Sequence, residues 1–376
     1  MRKLRLALMM VVVCIWAIFV TSTFGQGSLT PPGAPAPTMK TLQEIEPRIP
    51  ITNAPFTISA AGSYYVTTNL TGQSGTNGIT INADDITVDL NGFTLIGVAG
   101  SVDGIGVPSD HKNIVVRNGV VRNWGDEGVD FNYVRNGRIS ELCAFTNSGY
   151  GIFSGRCNVV KDCTARNNSS GIYAGYGSTI SGCTAEENGA YGIQGLDNVS
   201  ISGCVAENNT SDGIHLESSG IVRDCSAKDN GGDGIEAAHG AIVNNCVVTS
   251  NDGNGIYGDF GVTISGCRTH YNKGDGIKVD EDCMVINCSS KDDGYLGDGA
   301  GLHAVGANNR IEGNNAVNCD RGIDVDVSGN LIIRNSASDS GGGSNYVVVT
   351  GNSIGGIVDV SSGGFTNTNP WVNFEF

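Results

Sequence analysis

Residues 181–193 read SGCTAEENGAYGI, and residues 202–214 read SGCVAENNTSDGI, the same pattern moved on by 21 residues. A glycine that precedes an apolar residue marks the phase: Gly78, Gly104, Gly128, Gly151, Gly171, Gly192, Gly213, Gly234, Gly255, Gly276, Gly301 and Gly322, with six intervals of 21 and one of 20. The residue after the marker is apolar from Val129 to Ile323. A second apolar row runs from Val160 to Ile332, three residues before the cysteine position, and a third from Ala165 to Val248, two residues after it. Each repeat therefore holds three short alternating runs separated by Gly, Asn, Asp and Ser, the pattern of three short strands joined by turns. No run is long enough for a helix, and a 3.6-residue period is absent. One such repeat cannot bury its apolar face alone. The predicted fold is all-β, a single-stranded parallel β-helix of about 12 coils of about 21 residues, each stacked on its equivalents.

Stacking accounts for the cysteines. Cys143, Cys163, Cys183, Cys204, Cys225, Cys246, Cys267 and Cys288 follow one another at steps of 20 or 21 residues, so they are expected to form a ladder. Strands about 4.8 Å apart bring neighbouring α-carbons within disulfide reach, but parallel side-chain vectors hold the β-carbons too far apart. The thiols are expected to be buried and unbridged, acting as small hydrophobes, against the usual rule for an exported chain. Cys157, Cys283 and Cys319 lie outside the ladder. Asn123, Asn147, Asn167, Asn188, Asn208, Asn230, Asn251, Asn272 and Asn318 recur at the turn after it, where an amide can bond to the adjoining coil.

The start, MRKLR, is followed by the apolar run Leu6 to Val20 and then by small and polar residues. Residues 1–25 read as a secretory signal peptide, too short for a membrane span. Residues 26–55 read as a Pro-rich tether. Residues 56–376 read as the β-helix with N- and C-terminal caps, the first at Phe56 to Leu70 and the second at Trp371, Phe374 and Phe376. The protein is therefore expected to be exported, to the periplasm, cell surface or extracellular space, with no transmembrane segment in the mature chain. Its 38 acidic against 22 basic residues give a formal charge of −16. That balance argues against nucleic acid, whose phosphates need lysine and arginine. It also repels acidic polysaccharide unless a divalent cation bridges the two; neutral glycans meet no such penalty.

The turns NGGDGI (230–235) and NKGDGI (272–277), with the opening GITINADDITVDLNGFTLIG (78–97), resemble the right-handed parallel β-helix superfamily of pectate-lyase-like and copper-delivery proteins, over roughly residues 56 to 360. The tether, GSYYVTTNL at 62–70 and the ending NPWVNFEF also resemble exported bacterial β-helix proteins of unassigned activity. The resemblance implies the fold, whose coils host lyases, epimerases, hydrolases and noncatalytic binders. The chain has no Asp-Pro-His-Glu run like that of alginate epimerases and no Gly-His-Gly or Arg-Ile-Lys like that of polygalacturonases. Copper delivery fits poorly, because His215 and His303 lie four coils apart, about 19 Å.

Two residues after each marker glycine come Asp130, Phe153, Tyr173, Gln194, His215, Glu236, Tyr257, Lys278, His303 and Asp324. Their neighbours point inward, so this row points out. The position before the glycine adds Tyr191, Asp212, Asp233, Asn254 and Asp275, and the position four after it adds Glu217, Asp259 and Asp280. One expectation is a solvated sheet face. The other is a glycan groove, with Phe153, Tyr173 and Gln194 binding sugar. In its catalytic form, Ca²⁺ on Asp212, Asp233 and Asp275 offsets a uronate carboxylate, and His215, Tyr257 or Lys278 takes the neighbouring proton. Carboxylates on adjacent coils, Glu236 among them, also come within about 5 to 9 Å, the range of glycosidase pairs. The expected partner is a polysaccharide or cell-surface glycan, bound or processed by a lyase or epimerase reaction; the competing class is a noncatalytic structural or surface module.

Overall fold

Three strands per coil, with side chains alternating in and out, give each turn of chain its own part of the core, and the computed structural model shows how the turns add up. It describes residues 46–376 apart from 296–298, 342–343, 362 and 364–366; the expected signal peptide and most of the tether lie outside the described residues. The chain divides at Pro47, and Arg48–Phe376 forms the β-helix unit. Its strands pair in parallel in a 28-stranded sheet, a 14-stranded sheet and a small two-stranded one. The 14-stranded sheet takes one strand per coil, from Phe56–Ile58 to Tyr346–Val348. The solenoid thus has about 14 turns rather than 12, because the first and last of these strands follow Pro55 and Asn345 instead of a marker glycine. No helix is found among the described residues.

Phe56 to Leu70, expected as a cap, is itself regular coil: Phe56–Ile58 and Gly62–Val66 pair with the following turn, and Ile49–Ile51 already pairs with Tyr64–Val66. At the other end Asn373–Glu375 pairs with Ile357–Asp359, while Trp371 and Phe376 stay exposed.

The core consists of stacked rows. Ile152, Ile172, Ile193, Ile214, Ile235, Ile256 and Ile277 are buried, as are the rows through Val160 and Ala165. The marker glycines are set by close approach. A Cβ on Gly213 would lie 2.6 Å from Asn230 Nδ2 and 2.7 Å from the Gly234 carbonyl oxygen, so no larger residue fits between the coils.

Turns at two corners carry a left-handed residue immediately before a buried rung. At the first corner Asp162, Gly182, Gly203, Asp224, Asn245, Gly266 and Asn287 have positive φ, and the buried residues after them are Cys163, Cys183, Cys204, Cys225, Cys246, Cys267 and Cys288. All eleven described cysteines are free. Cys143 is not on this ladder. It pairs in register with Thr164, so Leu142 is the rung below Cys163, and a one-residue slip puts Cys143 on the outer face. Asn314, Asn335 and Asn373 continue the ladder, Asn314 Oδ1 accepting from the Cys288 N–H at 2.8 Å. Cys283 belongs to a different corner, above Val262, and Cys157 is exposed.

At the second corner the buried stack is Asn147, Asn168, Asn188, Asn209, Asn230, Asn251 and Asn272. Asn123, Asn167, Asn208 and Asn318 are instead the left-handed residues one position earlier. From Asn168 onward each rung's Oδ1 accepts two bonds from the rung before: Asn230 Oδ1 takes the Asn209 backbone N–H at 3.0 Å and its Nδ2 at 2.9 Å. Asn230 Nδ2 in turn donates to the Ala206 carbonyl. Asp293 closes the stack, its Oδ1 taking two bonds from Asn272 and its Oδ2 the hydroxyls of Thr269 and Ser290.

Candidate functional site

The outward row is continuous. Parallel register places Asp130, Phe153, Tyr173, Gln194, His215, Glu236, Tyr257, Lys278, His303 and Asp324 side by side on successive strands of the 14-stranded sheet. Apolar neighbours such as Ile214 and Leu216 are buried on either side of His215, and this alternation turns the row outward.

The N-terminal part of the row is aromatic. Phe153 and Tyr173 stack with centroids 4.4 Å apart and planes 9° apart. Tyr150, from the position before the marker glycine, meets both edge-on and reaches Gln194 Oε1 through its hydroxyl at 3.3 Å. The sequence reading omitted Tyr150, although the row through Tyr191 and Asp212 extends back to it. Burial, with Glu217 nearby, pushes the Tyr173 phenol up to about 12.

The middle is charged. His215 Nδ1 lies 2.8 Å from Glu236 Oε2 and 3.6 Å from Asp212 Oδ2. Burial works against a charged ring there, but the bonds to Asp212 and Glu236 outweigh it and raise the imidazole pKa to about 9. That shift favours the protonated ring at neutral pH, a state suited to supplying positive charge rather than to taking a proton. The Tyr257 hydroxyl donates to Asp280 Oδ2 at 2.8 Å, and burial together with that bond holds its phenol well above its ordinary value. Glu236, Tyr257, Lys278 and Asp280, with Asp233 and Asn254, line one open cleft of about 420 Å³.

The expected calcium set does not converge. Asp212, Asp233 and Asp275 stand at one position of the coil, but Asp275 is three coils from Asp212, about 14 Å at the strand spacing. Each carboxylate also caps the next coil. Asp212 Oδ1 accepts the Asp233 N–H at 2.7 Å, Asp233 Oδ1 the Asn254 N–H, and Asp275 Oδ1 the Ala300 N–H at 2.6 Å. Ca²⁺ takes six to eight oxygens, and this column supplies hydrogen-bond acceptors along the axis instead. In the cluster that does form, Asp212 with His215 and Glu236, both carboxylates face His215 Nδ1.

Beyond Lys278 the row is locked. His303 bonds to Asp275 at 2.9 Å and to Asp326 at 3.1 Å, and the Arg321 guanidinium sits 2.8 Å from the buried Asp324.

A parallel β-solenoid of 21-residue coils with one continuous outward row defines the class. The profile of the family described as right handed beta helix region matches residues 57–198 and 177–259, and the chain belongs to that family. No curated protein matches it. Among solved structures it is similar to the A-module of the mannuronan C-5 epimerase AlgE6 of Azotobacter vinelandii, at 13% identity and a TM-score of 0.56, covering 84% of this chain and 89% of that one. The A-module of AlgE4 from the same organism gives 16% and 0.50, covering 73% and 86%. Tailspike protein 3 of bacteriophage CBA120 gives 10% and 0.48, covering 82% and 60%. At these identities the likeness is one of fold. No helix among the described residues is long and apolar enough to cross a membrane.

Proposed function

We propose that this protein is an exported β-helix that binds an extracellular polysaccharide along the row from Phe153 to Lys278. The observation that carries the reading is the register itself, which sets aromatic, amide and charged side chains in one unbroken line and opens into the cleft at Tyr257 and Lys278. A polymer of repeating sugars matches a surface whose side chains repeat at each coil. Aromatic faces suit sugar rings, and the polar members suit hydroxyls. That the two similar structures above are modules of mannuronan C-5 epimerases supports a glycan partner. It also supports processing of the epimerase or lyase type as the catalytic form of the reading. In that form His215 supplies positive charge beside a uronate carboxylate, Lys278 or Glu236 takes the proton from the neighbouring carbon, and the Tyr257 phenol gives one up, to the departing glycosidic oxygen in a lyase or back to that carbon in an epimerase.

The alternative, a noncatalytic structural or surface module, is favoured by one specific observation. Much of the row is engaged with itself: Phe153 lies on Tyr173, Asp233 and Asp275 cap backbone N–H groups, and His215 is held between two carboxylates.

A glycan-array and polysaccharide-degradation screen, with calcium and with chelator, separates these readings when repeated on a Glu236→Ala, Tyr257→Ala, Lys278→Ala triple variant. New unsaturated or reducing ends, or solvent deuterium taken up at C-5 of an uncleaved uronate polymer, that vanish in the variant establish an enzyme. Binding without turnover, lost in the variant, establishes a binding module, and silence on every glycan leaves the structural module.

A further inference from the structure

The first three marker intervals, of 26, 24 and 23 residues, exceed the usual 21, and the extra length builds the two-stranded sheet of His111–Lys112 and Val134–Arg135. Two adjoining clefts of about 240 and about 250 Å³ lie there and share Asp110 and Arg135. Lys112 lines one, Arg156 lines the other, and Arg135 lines both. The larger-scale row reaches this place too, since Tyr173 lines the cleft with Arg156.

In a chain of charge −16 these cations are unusually placed. Arg135 and Lys112 face each other in register on neighbouring strands, an arrangement of like charges that is destabilising by itself. Among the described residues none of Lys112, Arg135 and Arg156 has a carboxylate ion-pair partner, and Asp84, the other carboxylate of the clefts, is taken by His111 at 3.0 Å. The Arg156 guanidinium lies over the Tyr176 ring, 5.0 Å from its centroid, and stacking leaves the in-plane N–H donors of arginine free for an anion. Tyr133 and Tyr176, at 47% and 44% exposure, flank the arginines with open ring surface.

We propose that this cleft binds an anionic sugar, its carboxylate or sulfate held between Arg135 and Arg156 and its ring resting on Tyr133 or Tyr176. The inference deepens the glycan reading, on which it rests, by naming an acidic glycan as the ligand and locating where the overall negative charge is locally overcome.

The test is calorimetric titration of the purified protein with an oligogalacturonate, a heparin-derived oligosaccharide and a neutral cello-oligosaccharide of matched length, at low and high salt. Arg135→Gln and Arg156→Gln are exposed changes, and unchanged denaturation midpoints verify folding. The expected result is salt-sensitive binding of one or both acidic probes, weakened about tenfold or more by each substitution. Preference for oligogalacturonate assigns a carboxylate, preference for the heparin fragment a sulfate. Acidic probes that bind the double variant as tightly as the parent overturn the inference; if that binding is lost in Lys278→Gln, the row still stands as the glycan site. Binding of the neutral probe alone also overturns the inference while leaving the row reading intact, and failure of all three probes counts against both.

Discussion

A single asparagine in the corner stack satisfies the backbone of two coils. Asn230 accepts from the Asn209 N–H and Nδ2, and donates to the Ala206 carbonyl and to Asn251. All of these groups are buried, so water cannot replace a lost partner. A leucine at 230 has the right size and no polar atoms; it leaves two donors of Asn209 and one carbonyl unpaired, at about 1–3 kcal/mol for each group left without a partner. Asn230→Leu is therefore expected to lower unfolding free energy by about 3 kcal/mol or more, measured by denaturant titration. A loss below about 1 kcal/mol would mean that the stack fills space without bonding the coils. Asp293 shows when a carboxylate is tolerated in the stack: only where Thr269 and Ser290 turn hydroxyls toward its second oxygen. Burial still raises its pKa.

At the scale of the coil, two kinds of glycine recur for different reasons. Gly213 needs space, with the Asn230 amide and the Gly234 carbonyl where a Cβ would go. Gly203 needs conformation: its φ is +60° and nothing lies within 4 Å of an added Cβ. Gly213→Ala is expected to cost about 3 kcal/mol through overpacking, and Gly203→Ala about 1 kcal/mol through the left-handed backbone. Thermal or denaturant midpoints of the two variants decide it, and the reverse ranking would sink the close-approach account. The periodicity made most of this coil legible. A period of two within strands, phased by the marker glycine, placed the whole row from Asp130 to Asp324 in its observed register, through steps of 23, 20 and 25 residues as well as 21. The cysteine row, counted by interval without that marker, was misread. The 20-residue step from Cys143 to Cys163 looked like the genuine 20-residue step from Cys163 to Cys183, but the true rung is Leu142. Likewise, a sequence row shows that Asp212, Asp233 and Asp275 share a position; it does not show that their oxygens point along the axis to the next backbone. Tyr133 and Arg135 stayed hidden because they lie in the irregular early coils, and Arg156 because its position in the repeat, held by Tyr176, Asp197 and Ser218 in the next coils, shows no common residue type.

Over the whole molecule, charge makes stability depend on pH, and the direction follows from two groups far apart on the solenoid. Glu127 sits with Asp103, Asp126 and Asp130; burial, then the bond and repulsion from Asp126, raise its pKa from 4.5 to about 8. The native state holds that proton more tightly than the unfolded chain, so stability falls as pH rises from about 4.5 to about 8. His215 is raised from 6.5 to about 9. Its contribution is fully present below about 6.5 and is lost as pH rises through about 9. Asp212 acts at the acid end: burial opposes ionisation, but the bonds to His215 and Glu236 lower its pKa below 3.8, so its contribution is lost as pH falls below that value. Together these place the stability maximum on the mildly acidic side, with a decline toward alkaline pH in two overlapping steps. Denaturant midpoints measured from acid to alkaline pH should show that decline. Glu127→Gln should raise the midpoint and flatten the first step, and His215→Asn should remove the second while lowering the midpoint near neutrality. A parent profile that is flat or rising across this range would mean that the cluster and the imidazolium are not held as the structure has them, and with it would go the fixed positive charge assigned to the centre of the row.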